Sequence, residues 1–278
     1  MTSRREALKL VIQSTIKGMM DRVMTRVLVE DPFIEEAHRA TRPLYAALVP
    51  DEIFKGAHFE RRFVTPFGKA WQKLAVVVGS EDPRRASEEH TIRGAVRAQR
   101  LARIQEVLNA LEHAESGQRK RKPDWNAELE YVLAGGGEEI PASVIVDVYV
   151  EDKAAGLRYA FELKAPLPNS DQTKVSKEKL LKLYAMHPVQ VDKAYYALPY
   201  NPYGRREDYS WSFPARWFDM RNDEVVLIGS EFWDKIGGEG TYDAFIEAVN
   251  DIGPAYRDRI YREFLGIEPP DRSGGVRL

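Results

Sequence analysis

The sequence predicts an α/β (α+β) fold: a central mixed sheet flanked by helices, with helical parts toward both ends of the chain. Three observations carry that prediction. The first half places apolar residues at helical spacing. Between about residues 144 and 200, β-branched runs alternate with a helical stretch. Over 278 residues the chain is 44% hydrophobic and 30% charged, a composition that suits a globular fold and neither a disordered nor a membrane-spanning one.

In chain order, residues 6–28 carry Leu8, Val11, Ile12, Ile16, Met19, Met20 and Val23 close to the helical period. Residues 68–78 read as a second helix. A long third one is expected from about Ser87 to Ala114, with Ile92, Val96, Leu101, Ile104, Leu108 and Leu111 on one side. On that reading Arg93, Arg97 and Arg100 form a stripe on another face, able to meet phosphates. Asp124 is placed to cap a shorter helix that runs to Leu133 and carries Glu128, and Gly135-Gly136-Gly137 ends it. Strands are then expected at 144–150, 159–164 and 193–200, with a helix at about 174–186 between the last two. The tail from Pro269 to Gly275 is expected to fray.

Composition excludes several chemistries. With no cysteine there are no disulfides, thiolate nucleophiles or iron–sulfur sites. His38, His58, His90, His113 and His187 are scattered, without metal-ligand spacing. No Gly-x-Ser-x-Gly elbow or phosphate loop occurs. No segment has the roughly 18 consecutive apolar residues of a membrane span, so a cytoplasmic protein is expected. The formal net charge of −2 conceals a segregation: residues 1–222 carry net +4 and residues 223–271 net −8. Arg119-Lys120-Arg121-Lys122 is the densest basic run. A nucleic-acid partner is therefore compatible with the charge.

The informative stretch is residues 144–169. If the hairpin between the first two strands centres on Ala154/Ala155, Asp147 faces Glu162, and Glu162 and Lys164, two residues apart, share its face. Two carboxylates on strands this apolar are costly without compensation, and one lysine cannot neutralise both. A divalent cation can. Oxygen ligands suit Mg²⁺, and an ion held by Asp and Glu beside a Lys is a recurring arrangement for phosphodiester hydrolysis. A salt-bridged strand pair is the plain alternative for the same three residues.

Asp147 with Glu162-Leu163-Lys164 on consecutive strands resembles the PD-(D/E)XK nuclease core. The run Phe161-Glu-Leu-Lys-Ala-Pro-Leu-Pro-Asn169, followed by Asp171-Gln172, is similar to the TdeIII-type restriction endonucleases. Phe59–Gly68 upstream, and Val226–Gly238 with Thr241-Tyr242-Asp243 downstream, extend the resemblance over roughly residues 40–265. It implies a Mg²⁺-dependent type II enzyme cutting double-stranded DNA as a homodimer, with a companion DNA methyltransferase. Asp147, Glu162 and the Leu163 carbonyl would be metal ligands, and Lys164 the water-orienting residue. The literal Pro-Asp of the motif name is absent at Asp147. Pro123-Asp124 matches it literally, but strand pairing brings Asp147, not Asp124, to Glu162. Glu128, or Glu130, could serve as an additional acid from the preceding helix. The organisation then reads as a mainly helical 1–120, a catalytic core at 121–222 and a helical 223–268 packed on it, in one compact domain.

For DNA contacts the segment after the second strand is favoured. Asn169, Ser170, Asp171, Gln172 and Lys174 cluster at a helix start, Lys177 and Lys182 continue the basic character, and Arg205 and Arg206 follow a turn. Two other functions would use the same residues: a non-cleaving DNA-binding protein on a nuclease-like fold, or a repair nuclease that reads DNA structure.

Overall fold

The computed structural model describes residues 2–113 and 120–270. Arg119 of the basic run and the tail from residue 271 lie outside them. Among the described residues fifteen helices and strands of regular α or β type follow one another. They are α1 (Thr2–Thr25), α2 (Glu35–Thr41), α3 (Pro43–Ala46), α4 (Asp51–Gly79), β1 (Arg84–Arg97), α5 (Ala98–Glu112), α6 (Trp125–Leu133), β2 (Glu139–Asp152), β3 (Leu157–Leu163), α7 (Ser170–Ala185), β4 (Met186–His187), β5 (Lys193–Leu198), β6 (Val226–Ile228), α8 (Ser230–Gly237) and α9 (Thr241–Arg259). They group into two units. One holds the chain up to Leu74 and again from Asp243; the other is Ala75–Tyr242. The last helix thus falls in the same unit as the first.

In the first unit α1 buries Ile12, Ile16, Met19, Met20 and Val23 of the expected helical pattern, and Met24 beside them, while Val11 is exposed. Its polar side meets α9 through Arg5–Glu247 at 2.5 Å and Lys9–Asp251 at 2.7 Å. α4 is far longer than the expected 68–78. Phe59, Phe63 and Phe67, spaced four apart, stack along it, Trp71 meets Phe67 edge-on, and Trp71 lies 5.3 Å from Phe245 of α9. The helix runs on through Pro66 in its interior.

The second unit holds a six-stranded mixed sheet in the order β4-β1-β2-β3-β5-β6. β1, β2 and β3 are antiparallel, and β3, β5 and β6 are parallel, with α7 as the crossover between β3 and β5. The expected α/β architecture is therefore present. The expected helix over 87–114 is not. Residues 84–97 form β1, and only Ala98–Glu112 is helical. Residues 88–97 lack a strand-like alternation, and long pairing with β2, from Arg84↔Asp152 to Arg97↔Glu139, overrides their local pattern. Arg93 and Arg97 accordingly lie on a strand and Arg100 on α5, so the three do not share a helix face. The ladder skips Glu89, whose φ is 49° and which stands between the pairs Glu88↔Val148 and His90↔Val146, opposite Asp147.

One apolar core binds the helices to the sheet. Ile104, Leu108 and Leu111 of α5, Trp125 and Val132 of α6, and Leu180, Leu181 and Leu183 of α7 pack with Val144, Val146, Tyr196 and Leu198 of the strands. Each such side chain contributes about 1.5–3 kcal/mol on burial, which fixes α7 against the sheet end that carries Glu162.

Candidate active site

The β2–β3 hairpin sets the site. Asp152 tightens its turn by accepting from the N–H groups of Ala154 (3.1 Å) and Ala155 (3.0 Å), and Gly156 takes φ 64°. The ladder runs Asp152↔Leu157, Glu151↔Arg158, Val150↔Tyr159, Tyr149↔Ala160 and Val148↔Phe161. This is the register expected from a turn centred on Ala154/Ala155. The next step places Asp147 beside Glu162. There the carboxylate replaces the backbone carbonyl: Asp147 Oδ2 accepts from Leu163 N–H at 2.7 Å. On the far side of β3, Lys164 N–H donates to Ala197 O at 3.0 Å, so β5 anchors the strand as it leaves the sheet.

Lys164 gathers the cluster. Its Nζ lies 2.7 Å from Glu162 Oε1, 3.1 Å from Asp147 Oδ2 and 3.0 Å from the Leu163 carbonyl oxygen. Three oxygens from three residues thus converge on one cationic centre. Glu162 is almost wholly buried, with 3% of its side chain exposed, whereas Asp147 and Lys164 keep 18% and 19%. Burial pulls the Lys164 ammonium down, but the attraction of Glu162 and Asp147 outweighs it and holds the group above the usual lysine range.

Sequence reading missed a second lysine. Lys179 of α7 spans both Glu162 oxygens, at 2.9 Å from Oε1 and 3.0 Å from Oε2. Its neighbours Lys174, Lys177 and Lys182 were singled out instead. Only the packing of α7 decides which of four lysines meets the sheet, and a charge pattern along one helix carries no such information.

Glu128, expected as an additional acid, is placed elsewhere. It is fully buried and ion-paired with the equally buried Lys177. Its Oε2 faces the ammonium without accepting a hydrogen bond of normal geometry, while Oε1 accepts from Asp124 N–H at 3.3 Å. Burial pushes its carboxyl up and the Lys177 ammonium down, against their mutual attraction. Among the described residues no group of three or more His, Cys, Asp and Glu side chains gathers to hold a metal, so the site offers two carboxylates and one carbonyl. Asp124, the literal Pro-Asp match, caps α6 by accepting from Ala127 N–H at 3.0 Å.

With this geometry in hand, the family model described as "Type II restriction endonuclease, HinfI" matches residues 7–253. The chain belongs to the HinfI family of type II restriction endonucleases. Relatives from Herpetosiphon aurantiacus agree. The type II restriction enzyme HgiEI is 28% identical over 237 residues, covering 81% of each chain. HgiBI is 27% identical over the same length and coverage, and HgiCII is 27% identical over 227 residues, covering 81% of this chain and 82% of its own. The expected type II restriction endonuclease is met at this level, and the subgroup that the match names is HinfI.

In this HinfI-family chain the residues expected to contact DNA fall into two sets. Asn169 caps α7, accepting from Gln172 N–H at 2.8 Å, and Asp171 and Gln172 are exposed on its first turn. Ser170 accepts from Trp217 Nε1–H at 3.0 Å, and Lys174 pairs with Glu112. Arg205 is largely exposed and meets Asp208 at 3.0 Å. Lys177 and Arg206, also named for DNA contact, are engaged within the protein. Lys177 donates to Trp217 O inside the core. Arg206 ties together Met220 O, Asp223 O and Glu231 at 3.1, 2.7 and 2.9 Å. Lys177 is fully buried, whereas Arg206 and its partner Glu231 keep 21% and 36% of their side chains exposed. No described helix is long and apolar enough to cross a membrane.

Proposed function

We propose that the chain is a Mg²⁺-dependent, sequence-specific endonuclease that hydrolyses phosphodiester bonds of double-stranded DNA through Asp147, Glu162 and Lys164. The observation that carries this reading is the convergence of Asp147 Oδ2, Glu162 Oε1 and the Leu163 carbonyl on the Lys164 ammonium. A set of hard oxygen donors already gathered around a positive charge fits Mg²⁺, with Asp147, Glu162 and the Leu163 carbonyl as the residues that would hold it. When bound, the ion supplies polarisation of the phosphate and a more acidic water.

The protein's own residues do the rest. The Leu163 N–H fixes the Asp147 carboxylate, and the hairpin register fixes its distance from Glu162. Lys164, a charged donor, can turn one N–H to a water or a phosphate oxygen and offset charge that develops in the transition state. The exposed start of α7, with Asp171, Gln172 and the Asn169 cap, adjoins β3 and is the favoured DNA contact, joined by Arg205. One Asp–Glu–Lys set per chain and two strands to cut call for a homodimer. A companion DNA methyltransferase would protect host sites in a shared cytoplasm.

Plasmid digestion tests the reading. With Mg²⁺ the purified protein should give discrete double-strand fragments whose sequenced ends share one motif, and chelation should stop cleavage. Lys164→Ala and Asp147→Asn should each lower the rate by about a hundredfold or more. Full cleavage by either variant would sink the site assignment, and ends without a common motif would sink the sequence-specific reading.

A further inference from the structure

The geometry points to Lys179 as a positioning residue for the phosphodiester site: it clamps Glu162 by both oxygens from α7 so that Lys164 is free to move between the carboxylates and the substrate. This rests on the nuclease reading above and deepens it. Glu162 is the most buried member of the cluster, and a buried carboxylate needs a permanent partner. Lys164 cannot be that partner and also serve a water or phosphate, because its contacts to Glu162, Asp147 and Leu163 O match the three donors an ammonium has.

Lys179 removes the conflict. It touches Glu162 at two oxygens and has no other hydrogen-bond or ion-pair partner among the described residues. Its backbone is held by α7, whose next two residues, Leu180 and Leu181, are buried, and whose Thr173 hydroxyl lies 3.3 Å from that of Tyr196, the residue paired with Glu162 across β3 and β5. The clamp is therefore mounted on a packed helix, whereas Lys164 follows the last residue of β3. Lys179 acts through Glu162 rather than on the substrate.

The test uses the full chain with Lys179→Met, which keeps the aliphatic stem, and Lys179→Arg, which keeps the charge. DNA affinity is measured in Ca²⁺, single-turnover cleavage in Mg²⁺, and urea unfolding for Lys179→Met alone and combined with Glu162→Gln. Lys179→Met should slow cleavage about tenfold or more while the Kd for DNA stays within about twofold, and Lys179→Arg should restore most of the rate. The change in unfolding midpoint caused by Lys179→Met should fall by about half or more once Glu162 is Gln, because the partner charge is gone.

Cleavage within about twofold of the parent overturns the proposal. So does a loss confined to Kd with a shallower salt dependence, which marks a phosphate contact. Additive unfolding effects overturn it as well. Should Lys179→Met fail to fold, the folded Lys179→Arg variant decides, since a tenfold or larger loss there, about 1.4 kcal/mol, also refutes a charge clamp. If the parent chain cuts no DNA in Mg²⁺, the nuclease reading fails, while the unfolding cycle still judges the Lys179–Glu162 pairing.

Discussion

Lys177→Met tests the buried pair that holds α6 to α7. Both Lys177 and Glu128 are fully buried, and Lys177 also donates to Trp217 O. Methionine keeps the stem but removes the ammonium, which lies over the rings of Trp125 and Phe218 at 5.7 and 4.9 Å. Without the ammonium, Glu128 retains one long hydrogen bond, from Asp124 N–H at 3.3 Å. Breaking one side of such a pair costs about 3–5 kcal/mol, and the orphaned Trp217 carbonyl sits within that figure. Replacing both partners, as Glu128→Leu with Lys177→Met, should recover most of the loss and leave the carbonyl's share of about 1–2 kcal/mol. Urea unfolding followed by tryptophan fluorescence reads this directly, because Trp125 and Trp217 adjoin the pair. In the single variant the penalty should shrink toward acid pH. Burial raises the Glu128 carboxyl above its unfolded value of 4.5, so protonation removes the unpaired charge as pH falls through the folded pKa. A cost below about 1 kcal/mol for Lys177→Met, or additive single effects, would refute the reasoning. A loss of DNA affinity in the folded variant would instead return Lys177 to the DNA surface.

Two further outcomes are expected. Gly135→Ala should destabilise by about 1–3 kcal/mol in thermal or urea unfolding, because the new Cβ would lie 2.8 Å from Arg100 N and 2.9 Å from Gln99 C, both backbone atoms. Gly136→Ala, whose Cβ would meet only Gln99 Oε1 at 3.5 Å, is the comparator and should change little. Asp192 is held below the usual carboxyl value of 3.8 by the Arg158 guanidinium and the Arg158 N–H. Its contribution is present above about pH 4 and is lost as pH falls through the lower folded value, so Asp192→Asn should flatten the acid side of the stability curve. An unchanged acid limb in unfolding titrations from neutral pH downward would contradict this.

Much of the site was legible because it is local. Asp147, Glu162 and Lys164 belong to one hairpin, and a turn with Gly156 at its end determines which residues face each other. Capping was legible for the same reason: Asp124 and Asn169 serve the helices that follow them within three residues. Strand β1 was not. Its polar residues hold a strand only because β2 supplies thirteen matched positions, a partner about fifty residues away in the chain. The lysines of α7 show the same limit. Lys177 turns into the core and Lys179 onto Glu162, and their spacing of two residues does not distinguish the roles.

By itself the sequence determined the strands β2, β3 and β5 with the helix between the last two, the register of the β2–β3 hairpin and the residues able to gather oxygen donors around a cation. These depend on neighbours a few positions apart, where backbone geometry leaves few choices. The tertiary structure alone decided that Glu162 has two lysines, that Glu128 is bound into a buried pair, and that Arg206 braces a loop. Each of these depends on which helix face meets which strand. That choice is made by the summed burial of α5, α6 and α7 against the sheet, and no single stretch of sequence contains it.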